Sequence, residues 1–202
     1  MAGPARNRVA PTGQIVAVDA RGAWMGNRGR LHEGEGTRGV VRTHQVKAWI
    51  TCRLEFRGRR VAQWHPNHYT PLFLLDEAVA LAAGHRPCAE CRRADFVAFA
   101  LGNELDDPRA ADLDARLHAE RLPVGAARGT TPLAWRDVPP GAFVVTDAGP
   151  ALACADHLAL WDGDRYAYGA KRSRPARGDA RLLTPACTVA ALRAGYPVPV
   201  EA

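Results

Sequence analysis

Cys88 and Cys91, spaced Cys-x-x-Cys, are the residues best suited to chemistry in this sequence. Two thiolates at that spacing can turn both sulfurs onto one ion. They make half of a tetrahedral zinc site, whose other ligands must come from elsewhere in the chain. The pair follows a short helix. The Asp76 carboxylate can cap its first free N–H groups, and Ala78 to Ala83 are strong helix formers. Gly84 can take the left-handed conformation that ends a helix, and Pro87 stiffens the approach to the knuckle. This order differs from a thioredoxin-like redox motif, in which Cys-x-x-Cys opens a helix after a buried strand. The competing reading is a plain turn whose two cysteines act as small buried hydrophobes.

Upstream, Cys52 lies in the clearest strand, residues 46–56. Ala48, Ile50, Cys52, Leu54 and Phe56 alternate there with Lys47, Trp49, Thr51, Arg53 and Glu55, which puts Cys52 on the inward face. Arg53, Arg57, Arg59 and Arg60 cluster about one hairpin turned at Gly58, while Arg86, Arg92 and Arg93 flank the knuckle. Folded side by side, these seven form a patch able to neutralise several phosphates. Trp49 and Trp64, if exposed, can stack on bases; otherwise they fill the core. There is no phosphate-binding glycine loop with a lysine, no serine elbow and no His-Glu-x-x-His helix, so enzyme chemistry has no support outside the cysteines. Asp156-His157, Asp162 and Asp164 read as turn residues, and Cys154 and Cys187 as buried thiols.

The run Ala82-Ala83-Gly84-His85-Arg86-Pro87-Cys88-Ala89-Glu90-Cys91 resembles the zinc half-site of the metal-binding domain of Ada-type DNA repair proteins. There a helix ends in Ala-Ala-Gly-aromatic-Arg-Pro-Cys-x-x-Cys, with the earlier ligands upstream. Gly26-Asn27-Arg28-Gly29-Arg30-Leu31-His32 is similar to the Gly-Asn opening of relatives of that domain. The likeness covers about the first half of the chain. It implies zinc, with His32 as third ligand and Cys52 as fourth. The family places its second upstream ligand a few residues after the first, where this chain has Gly36 after His32 and Phe56 after Cys52. His44, His65 and His68 are therefore alternatives, as is an incomplete site. His85 holds the aromatic position of the motif, which implies packing. The resemblance further implies DNA as partner. In the repair proteins one zinc-bound cysteine accepts a methyl group from a DNA phosphotriester, and Cys52 is the only candidate here. A closed tetrad would instead make Cys52 a structural ligand that contributes folding energy.

The 202 residues carry a formal charge of +6, unevenly spread. Residues 1–100 hold 15 Lys/Arg against 8 Asp/Glu, and residues 101–202 hold 12 against 13. The basic half is the half with the knuckle, the direction expected of a nucleic-acid-facing module. Five cysteines is an odd number for a disulfide framework, and a reduced, cytoplasmic protein is expected. No apolar run reaches the roughly 18 residues of a membrane span, and Met1 to Arg8 lacks the apolar core of a signal peptide.

Periodicity predicts a strand over 14–18, bent or continued at 22–26, and a helix over 95–101. A second helix runs from Asp107-Pro108 to about Leu122, with Leu113 and Leu117 inside and Asp112, Asp114, Arg116 and Glu120 mostly outside. Strands follow over 141–146, 151–160 and 166–168, then a flexible polar stretch over 170–180. A strand at 181–183 and a helix from Thr184-Pro185 to about Arg193 close the chain. The fold class is α+β: a zinc-binding module over 13–100, a helical connector over 101–122 and a β-rich part over 123–202. The expected function is a zinc-stabilised nucleic-acid-binding protein tied to DNA damage. The alternatives are a methyl-accepting repair protein using Cys52 and a zinc-stabilised protein-interaction module.

Overall fold

Short strands dominate the first half: β1 (Arg6–Val9), β2 (Ile15–Ala17), β3 (Trp24–Asn27), β4 (Ile50–Cys52) and β5 (Leu72–Leu74), followed by α1 (Glu77–Ala82) and β6 (Arg86–Pro87). The second half adds α2 (Arg93–Leu101), α3 (Ala110–Arg121), β7 (Thr131–Ala134), β8 (Phe143–Thr146), β9 (Gly149–Ala153), β10 (His157–Asp162), β11 (Arg165–Ser173), β12 (Asp179–Leu182) and α4 (Ala186–Arg193). This computed structural model describes residues 3–33, 39–59, 63–104, 109–121 and 131–199. The fold is α+β, with two six-stranded sheets ordered β2-β1-β5-β3-β4-β6 and β11-β10-β9-β8-β12-β7. The first sheet is mixed, since β1 pairs with β5 and β4 with β6 in parallel.

The helix α1 is buried on every side. Ala80 and Ala83 pack with Val9, Leu72 and Leu74 of the first sheet and with Leu31. Ala78, Val79 and Ala82 pack with Phe143 and Leu152 of the second and with Leu183 just past its strand β12. Leu81 joins Phe96, Phe99, Leu113, Leu117 and Leu192. A helix apolar on all its faces apart from the paired Glu77 at its start belongs inside, and alanines let backbone approach from two directions. The expected caps form. Asp76 accepts the Val79 N–H at 2.8 Å and the Tyr166 hydroxyl at 2.6 Å. Gly84 sits at φ +89°, where a Cβ would lie 2.7 Å from Arg121 Cγ.

The apolar clusters run across the boundaries drawn at residues 100 and 122. The expected connector helix packs its fully buried Leu113 and Leu117 into the cluster that also holds Ala142, Leu182 and Leu192. Asp114 also turns inward, contrary to expectation, because it meets Arg86. The start of that helix at Asp107-Pro108 and its end at Leu122 lie outside the described residues. The stretch 151–160 is two strands rather than one, turned at Ala155-Asp156, and β11 runs on into the segment expected to be flexible as far as Ser173, with β12 taking up its end from Asp179.

The strand expected over 46–56 shrinks to Ile50–Cys52, and its faces are reversed. Trp49 is 4% exposed and Thr51 1%, whereas Leu54 is 52% exposed. The physical reason is Trp49. The guanidinium groups of Arg28 and Arg121 both lie over its ring, 3.7 Å and 4.5 Å from the centroid. The indole gains both burial and cation–π attraction there, which outweighs the apolar alternation. The Arg57–Arg59 turn forms as expected, with Gly58 at φ +68°, but Arg60 and the beginning of its return strand lie outside the described residues.

Candidate metal centre

Two features of the backbone gather three sulfurs. The parallel register Ile50↔Arg86 and Thr51↔Pro87 makes Cys52 and Cys88 the next residues in step on β4 and β6. The Cys88 N–H donates to the Thr51 carbonyl at 3.0 Å and fixes that step. The knuckle then folds back, with the Arg92 N–H donating to the Cys88 carbonyl at 3.1 Å, and returns Cys91. The Sγ atoms of Cys52, Cys88 and Cys91 all lie within 4.8 Å of one another. Sulfurs sharing a tetrahedral zinc at ~2.3 Å would be about 3.8 Å apart, so the group can hold a metal ion with small adjustment.

The polar surroundings also suit thiolates. Glu90 N–H points at Cys88 Sγ, 3.4 Å away. The Cys52 thiol donates to Cys88, and that bond, with the N–H groups of Cys91 and Glu90, lowers the Cys88 pKa to about 5 against the opposing effect of burial. The same bond and burial push Cys52 far up. Burial raises Cys91 despite a hydrogen bond from the Arg53 N–H. One thiolate and two thiols thus share a space in which a cation could replace the protons.

His32 is not in the group, which corrects its assignment as a ligand. Its ring is 1% exposed, with Nδ1 2.6 Å from Thr70 Oγ1 and Nε2 3.1 Å from the His65 carbonyl. Both nitrogens are engaged, and the Gly26–His32 segment is a packing device: Gly26 lies against His85, and Arg28 Nε donates to His85 Nε2 at 3.1 Å. His44, His65 and His68 are not members either. All seven histidines and five cysteines are among the described residues, and no further histidine or cysteine joins the three.

The arginines divide. Arg86 and Arg92 are buried and structural, contrary to expectation. Arg86 makes a bidentate pair with Asp114, both bonds 2.8 Å. Arg92 binds Glu77 at 2.6 Å and Asp95 at 2.8 Å, and its Nη2 lies 3.2 Å from the Tyr196 hydroxyl. Arg53, Arg57, Arg59 and Arg93 are exposed. Arg59 pairs with Glu90 at 2.8 Å.

No protein-family model, curated protein or solved structure matches this chain. A pocket of about 360 Å³ abuts the sulfurs, and all three cysteines line it. Met25, Leu54, Phe56, Pro71 and Phe73 make its apolar wall; Arg53, Arg59 and Glu90 also line it. Tyr69 joins them, its hydroxyl 3.9 Å from Met25 Sδ and its pKa raised to about 12 by burial and the nearby sulfurs. Sequence reasoning singled out Arg53 and Arg59 but missed Met25, Tyr69, Pro71 and Phe73 as neighbours of the cysteines. Their only signal was proximity in the first sheet, where Met25 pairs with both Cys52 and Phe73.

Proposed function

We propose that this is a zinc-thiolate protein that binds nucleic acid through the surface beside its metal centre. The observation that carries the reading is the sharing of one pocket by three cysteines and the cations Arg53 and Arg59, with exposed Arg57 next to them. Three sulfur donors favour zinc among the common divalent ions, and N–H groups aimed at sulfur support the thiolate form. Exposed guanidinium groups can contact phosphates, and the excess of cations in residues 1–100 adds a long-range attraction. Five free thiols accord with a reducing, cytoplasmic setting. No helix among the described residues is long and apolar enough to cross a membrane.

Metal analysis of the purified protein should find about one zinc per chain, lost on Cys88→Ser or Cys91→Ser. Fluorescence anisotropy on a short labelled duplex should show binding that weakens with salt. Arg53→Glu, Arg57→Glu and Arg59→Glu together should remove that binding while leaving zinc in place. Salt-independent binding, or binding unaltered in the triple variant, rejects the surface.

A second reading is favoured by the position of Cys52, the most exposed of the three sulfur residues and a wall of the pocket. In this reading Cys52, its proton lost to solvent on binding the metal, attacks the methyl carbon of a phosphotriester through Sγ; an S–C bond forms, the methyl C–O bond breaks, and the phosphodiester anion leaves. Mass analysis after incubation with methylated DNA would place 14 Da, on the order of one CH₂, on the peptide carrying Cys52.

A further inference from the structure

We propose that the fourth position on the metal is completed from outside the chain, by the sulfur of a small thiol whose apolar body occupies the adjoining pocket. The inference rests on the metal reading above and goes beyond it, since a closed structural site needs no external donor. Three arguments carry it. Among the described residues, only three Cys, His, Asp or Glu side chains converge, which leaves one tetrahedral position for a donor that these residues do not supply. The nearest carboxylate along the knuckle, Glu90, is engaged by Arg59 at 2.8 Å and is not a member of the group. The pocket that all three cysteines line is walled by Met25, Leu54, Phe56, Pro71 and Phe73, so it offers a hydrocarbon body a place out of water.

The chemistry of the donor set selects the class of ligand. An ion held by three thiolates is a soft centre, and sulfur is the matching donor. A thiolate would bring a further negative charge to a site that already carries three. Arg53 lines the same pocket beside the Arg59–Glu90 pair, and its cation can offset that charge, where a wholly apolar mouth could not. A thiol that binds in this way releases its proton to solvent and forms one metal–sulfur bond, with no redox change.

The test uses the full chain loaded with Co(II), a spectroscopic stand-in for zinc, titrated anaerobically with phenylmethanethiol. The thiolate-to-cobalt and ligand-field bands should shift saturably, while equilibrium dialysis shows the metal still bound. Leu54→Asp, at a position 52% exposed and outside the core, sets a negative charge at the pocket and should weaken the thiol about tenfold. Bands that do not move with saturating thiol, or cobalt stripped from the protein, would overturn the proposal while leaving the metal reading intact. Equal thiol affinity in Leu54→Asp would overturn the pocket's part in it. Failure of the chain to bind cobalt or zinc would remove both.

Discussion

Arg86 and Arg59 stand near the same knuckle and differ in what surrounds them. Arg86 is 4% exposed and meets Asp114 through two bonds. Removing one partner of such a pair leaves an uncompensated charge inside, so Asp114→Ala should cost about 3–5 kcal/mol in urea unfolding. Arg59→Ala, which loses only an exposed pair with Glu90, should change stability by no more than about 1 kcal/mol and yet weaken nucleic-acid binding. The two guanidinium groups cannot be told apart in the sequence, because burial is a property of the partner and Asp114 arrives from 28 residues downstream. The cysteines were more legible. Cys88 and Cys91 stand out by spacing and local stiffening, and Cys52 by being upstream in a strand. The reason given for Cys52 was nonetheless mistaken, since Trp49 and Thr51 hold the inward face. Proton release gives a further expectation. The Cys88 pKa lies near 5, so between pH 6 and 8 it is already a thiolate, while Cys52 and Cys91, both raised, still hold protons. Loading the metal should then expel about two protons, and affinity should rise about 100-fold per pH unit over that range. Competition with a chromophoric chelator at several pH values measures the slope, and a flat profile would exclude three thiolate ligands.

At the scale of elements, α1 is the part the sequence describes best. Its cap, its alanines and its glycine stop all act as composition predicts. What lay beyond reading was the second partner of Asp76, the Tyr166 hydroxyl from β11, ninety residues away. Asp76→Ala removes the cap and this bond together and should destabilise by about 1–3 kcal/mol in thermal or urea unfolding. Gly84→Ala should be costly for a different reason. The residue is at φ +89° and its new Cβ would press on Arg121, which lies over Trp49. Loss of at least about 1 kcal/mol should therefore come with altered tryptophan emission. The strand around Cys52 was misread because alternation counts hydrophobicity and takes no account of two arginines holding an indole. The split of 151–160 was missed because Cys154-Ala155-Asp156 contains no glycine or proline to mark its turn.

For the molecule as a whole, the division into an N-terminal module and a C-terminal part does not describe how apolar surface is shared. Leu81 and Phe99 bury themselves against residues that lie beyond position 131. A fragment ending near residue 100 would present α1 and α2 to water, and it should show no cooperative unfolding by circular dichroism even with zinc added. A fragment that unfolds cooperatively would reject the shared core.

Arg92, directly after the second cysteine of the knuckle, holds Glu77 and Asp95, and its group is completed by Tyr196, which also donates to Glu77 at 2.6 Å. That tyrosine is 104 residues further along the chain. On the ribosome, then, the cysteines emerge long before the residue that finishes their support. The nascent knuckle must pass through a period as reactive, loosely held thiols, during which thiol-protecting factors or early metal capture would govern how much of the newborn protein reaches its native form.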